Sequence, residues 1–62
     1  MTTNEQAIAA LEQSNKMLDL AKEQLCNLDI SNQMTILYAI IDQRMNNSIA
    51  ISNIKMDEIL SK

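Results

Sequence analysis

Glycine, proline, histidine, tryptophan and phenylalanine are all absent from this chain, and cysteine and tyrosine occur once each. A turn that needs a positive φ must therefore use Asn or Asp, so a fold built on many tight turns, β-hairpins above all, is disfavoured. Ordinary proteins carry about 7% Gly and about 5% Pro, and a chain with neither is best accommodated by long uninterrupted helices. With no His and a single Cys26, neither an internal disulfide nor a zinc site can form. The same inventory offers no His base, no Gly-rich phosphate loop and no Cys/His or Ser/His pairing. Asp57 and Glu58 are adjacent, about 100° apart on a helix, and cannot share one site. No enzymatic activity, cofactor, metal or small-molecule substrate is expected.

Cations are few and scattered: Lys16, Lys22, Arg44, Lys55 and Lys62, within a net charge of −3. Readers of nucleic acid carry a clustered basic face, often with aromatics for stacking, so nucleic acid is not an expected partner. An anionic membrane surface would repel the chain, and its longest apolar run, Ile36 to Ile41, is far short of a membrane span. Met1-Thr2-Thr3-Asn4-Glu5 has no basic leader, and one unpaired Cys fits a reducing compartment. The expected location is the cytoplasm.

What is present is helical. Thr2, Thr3 and Asn4 are competent N-caps, and Thr2 with Glu5, or Thr3 with Gln6, has capping-box spacing. With Asn4 as heptad position a, the a and d sites are Asn4, Ala7, Leu11, Ser14, Leu18, Ala21, Leu25 and Leu28, a mostly apolar stripe suited to packed helices. This predicts a first helix over about 4–27, with Glu12 and Lys16 as an i,i+4 pair on its outer face. Residues 28–31 form the expected turn. There Asn27 could supply the left-handed position that Gly normally fills, and Asp29 or Ser31 could cap the next helix. A second helix follows over about 32–60, with a possible break at Asn46-Asn47-Ser48. The fold class is all-α: a single antiparallel helical hairpin over 1–62, expected to assemble into a four-helix bundle because a chain of 62 residues buries little surface alone.

The second helix is apolar on two sides. At 100° per residue one face collects Met34, Leu37, Tyr38, Ile41, Met45, Ile49, Met56 and Ile59, and is read as the seam against Leu11, Leu18, Ala21 and Leu25 of the first helix. The other strip, Ile36, Ile40, Ala50, Ile51 and Ile54, is read as the surface for a partner, with Asp42 and Arg44 as its polar markers. Cys26 reads as a small buried filler near the turn, and Met17, off the main stripe, as a possible interface residue. Tyr38 is expected at the seam edge with its hydroxyl outward. The implied role is a non-catalytic protein–protein interaction module, a regulator or adapter. Its partner is a second copy, most simply as a homodimer, or another helical protein.

The segment Leu28-Asp29-Ile30-Ser31-Asn32-Gln33-Met34-Thr35-Ile36-Leu37-Tyr38-Ala39-Ile40-Ile41-Asp42-Gln43-Arg44 resembles the central helix of the Hha/YmoA family of small bacterial nucleoid modulators, at Leu28, Tyr38, Asp42 and Arg44. That resemblance implies a role in transcription for which Asp42 docks on the dimerisation region of the histone-like protein H-NS. In architecture alone the hairpin is similar to the plasmid RNA-binding protein Rop and to the helical co-chaperones of type III secretion.

Overall fold

The computed structural model describes residues 2–61, which form two helices, α1 (Thr3–Cys26) and α2 (Gln33–Leu60), joined by residues 27–32. Thr2 is the N-cap of α1: its Oγ1 accepts from the Glu5 backbone N–H at 3.1 Å, satisfying one of the orphan donors of the first turn. Glu5 also sets a negative charge at the positive end of the helix dipole.

The turn departs from expectation in a consistent way. Asn27 caps the end of α1 with right-handed backbone angles (φ −89°, ψ −2°), and the left-handed residue is Asn32, at φ 61°. Asn tolerates that region better than most residues, which is how a chain without glycine makes the reversal. Asn32 is also the N-cap of α2, but neither it nor Asp29 nor Ser31 gives α2 a side-chain cap. The loop is closed instead by Gln33, whose Nε2 donates to the Leu25 carbonyl at 2.6 Å and to the Leu28 carbonyl at 2.8 Å. One amide thus ties the first residue of α2 to the last turn of α1, at a Leu25 carbonyl that also accepts from the Leu28 N–H at 3.1 Å, and to the loop at the Leu28 carbonyl.

α2 runs without a break through Asn46-Asn47-Ser48. The Ser48 hydroxyl bonds back to the Arg44 carbonyl at 3.1 Å. The Asn47 side chain is engaged across the hairpin, so neither side chain is left to cap a new helix start. The two helices lie antiparallel in a molecule of 50 × 19 × 10 Å with a radius of gyration of 14.7 Å. A compact chain of this length would have a radius near about 10.5 Å. Among the described residues no hydrophobic side chain is fully buried, and the one buried residue of any kind is Asn47. None of the described helices is long and apolar enough to cross a membrane.

Candidate functional site: the outward face of the second helix

The seam between the helices is built as expected on the α1 side. Ala7, Leu11, Ser14, Leu18, Ala21 and Leu25 are all partly buried and step along one face by fours and threes. Leu28, beyond the helix, is exposed.

On α2 the assignment of faces is reversed. The partly or fully buried positions are Gln33, Leu37, Ile40, Asn47, Ala50, Ile51, Ile54 and Glu58. Ile40, Ala50, Ile51 and Ile54, expected to meet a partner, therefore line the seam with α1, and Ile36 sits at its edge with 37% exposure. Of the residues expected inside the hairpin, Leu37 is partly buried, whereas Met34, Ile41, Met45, Ile49 and Met56 face outward, between 40% and 58% exposed. Tyr38 and Ile59 share that outward face.

Polar groups decide between the two faces. Ser14 occupies a core position of the α1 stripe and Asn15 lies beside it, so closing the seam needs a partner for them. Asn47 lies on the Ile40/Ile51/Ile54 strip and supplies it: its Nδ2 donates to Ser14 Oγ and to Asn15 Oδ1, both at 3.1 Å. Its Oδ1 accepts from Gln43 Nε2 at 2.9 Å. Every hydrogen-bonding group of the Asn47 side chain is engaged at 5% exposure, and among the described residues no buried side-chain N or O is left without a partner. The same rotation of α2 brings Arg44 onto Asp19, Nε to Oδ1 at 2.8 Å and Nη2 to Oδ2 at 3.4 Å. Turning the methionine face inward would break all of these bonds while exchanging one apolar strip for another. Electrostatics and hydrogen bonding therefore select a rotation between which hydrophobicity is indifferent.

The other expected markers are dispersed. Arg44 belongs to the hairpin through Asp19, while Asp42 is exposed and borders the outward stripe on its polar side, one turn from Tyr38 and Met45. Cys26 is exposed rather than packed, because it falls at the α1 terminus beside the turn where no helix covers it. Glu12 and Lys16 are not joined; among the described residues the ion pair is Asp19–Arg44. Met17 is exposed, on the opposite flank of α1.

An open groove of about 610 Å³ runs along the hairpin between Asp19 and Lys22 of α1 and Ile41, Arg44, Met45 and Ser48 of α2. Its floor is the inner edge of the exposed stripe, and its α1 wall is charged. From Met34 to Ile59 the stripe is about 38 Å long at 1.5 Å per residue. It is flanked by Arg44 and Lys55 on one side and by Asp42 on the other, but carries no charge on its own line. Among the described residues no cluster of three or more His, Cys, Asp or Glu is placed to hold a metal ion. No family model matches the chain, and neither the curated proteins nor the solved structures contain a significant match.

Proposed function

We propose that this chain is a non-catalytic helical interaction module, a regulator or adapter that works by docking a helix along the outward stripe of α2. The observation that supports it is the distribution of apolar surface. The hairpin buries no hydrophobic side chain completely, yet Met34, Tyr38, Ile41, Met45, Ile49, Met56 and Ile59 lie exposed along one line. Contiguous apolar surface of this extent on a soluble chain marks a contact surface. Three methionines in the stripe suit it to that role, because the flexible thioether repacks against irregular partners. The charged wall at Asp19 and Lys22 would flank the docked helix and orient it.

Site-specific photo-crosslinking in cells tests this reading. A photoreactive residue at Met45 is expected to give a discrete protein adduct, and the same residue at exposed Asn53, on the polar side of α2, is expected to give none. Absence of any adduct at Met45, or equal adducts at both positions, contradicts it.

A further inference from the structure

We infer that the occupant of the stripe is the same stripe of a second copy, laid antiparallel, with the twofold axis crossing α2 at Asn46–Asn47. This rests on the docking function proposed for that face and names its partner. The hairpin exposes more surface than a lone chain of its mass should. A folded monomer of 7.0 kDa is expected to expose about 4,000 Å², whereas the hairpin exposes 4872 Å². The excess, on the order of 800 Å², is about what one partner buries in a standard interface. One identical hairpin is enough to remove it.

The spacing of the stripe is close to symmetric as well. Outward from Asn46–Asn47, the residues on one side fall within one residue of the distances of those on the other. An antiparallel pairing about that point sets Met45 against the second copy's Ile49, Tyr38 against its Met56, and Met34 against its Ile59. Ile41 meets the Ser52 hydroxyl, the single polar partner. The Tyr38 ring beside a thioether is a favourable contact of its own. Because such an interface is isologous, each of these contacts occurs twice.

Charge favours the same pairing. Glu5, Glu12 and Asp19 recur at seven-residue intervals along one flank of α1, with Lys16 as the one cation among them, and Asp19 walls the groove. Docking α2 against the second copy's α1 would lay the apolar stripe beside that acidic row. Docking α2 on α2 does not. At 100° per residue the stripe lies about 140° around α2 from the seam. With interaxial distances of about 8–10 Å, the two α1 helices then stand roughly 23 Å apart. That is about three Debye lengths at physiological salt, so their acidic rows repel weakly.

Distances between nitroxide labels in the Cys26→Ser full-length chain test the arrangement. A label on exposed Asn46 is expected to sit within roughly 25 Å of its counterpart, because it lies beside the axis. A label on exposed Thr35 is expected beyond about 35 Å, from an axial offset of 23 residues at about 1.5 Å each. Met45→Glu is expected to abolish both distances while circular dichroism still reports the helices. Equal short distances at the two positions mean a parallel dimer and overturn the inference. Uncoupled labels in a chain that is helical at hundreds of micromolar overturn it too. If, in that second case, the Met45 crosslink in cells captures a different protein, the docking function survives and the second copy does not. A crosslinked dimer with the wrong distances removes the antiparallel geometry alone.

Discussion

Asn47 is the residue on which the orientation of the hairpin turns, and truncating it gives a measurable consequence. Asn47→Ala removes three hydrogen bonds of 2.9 to 3.1 Å from the one buried position among the described residues. Each such bond contributes a net of about 0.5–1.5 kcal/mol. Ser14, Asn15 and Gln43 lie close enough to the surface to recover water in part, so the expected loss is about 1–3 kcal/mol. A chain of this length has a total stability of only about 3–9 kcal/mol, and the corresponding fall in Tm is roughly 5–20 °C. Asn47→Leu combined with Ser14→Ala is expected to cost less than Asn47→Ala alone or to stabilise, because an apolar pair can replace a buried polar one. The assay is thermal and urea unfolding by circular dichroism at one fixed protein concentration, since assembly makes Tm concentration-dependent. If Asn47→Ala stays within about 0.5 kcal/mol of the parent, the polar layer does not hold the seam. The face bearing Met34 and Met45 would then have to pack against α1 instead.

Three further outcomes follow from the same geometry. Gln33→Ala leaves the Leu25 and Leu28 carbonyls without their side-chain donor; an expected cost of about 1 kcal/mol should appear with faster hydrogen exchange confined to residues near the turn. Asp19→Asn weakens an ion pair whose side chains are 50% and 53% exposed, so a loss of about 0.2–1 kcal/mol is expected, and it should shrink as salt is raised. Thr2→Ala deletes the cap on the Glu5 N–H and should cost about 0.5–2 kcal/mol, read as fraying at the start of α1.

The hairpin itself was legible from absences: without Gly or Pro, and with one cluster of Asn, Asp and Ser between two amphipathic runs, little else is compatible. The α1 stripe was equally plain, because Ala7, Leu11, Leu18, Ala21 and Leu25 repeat at heptad spacing with no competing face. For α2, periodicity showed two apolar strips and could not rank them, since both carry large apolar side chains. The deciding signal was polar and distant. Ser14 sits at a core position, and its partner Asn47 lies 33 residues away on the strip of Ile40, Ile51 and Ile54. A polar residue at a core position is itself a demand for a complement, and matching Ser14 to Asn47 would have turned α2 the right way. The turn was missed for a smaller reason: Asn27 and Asn32 are equally able to adopt a positive φ, and only the backbone path distinguishes them.

On the proposed function the face of α2 carrying Met45 is closed by another helix, and on the further inference that helix is α2 of a second copy. Sedimentation equilibrium over a concentration series measures this directly. The predicted result is a species of twice the 7.0 kDa chain mass at tens of micromolar, reverting to single mass in Met45→Glu and unchanged in Asp42→Asn. A folded, cooperatively unfolding species of single mass at every concentration would contradict it.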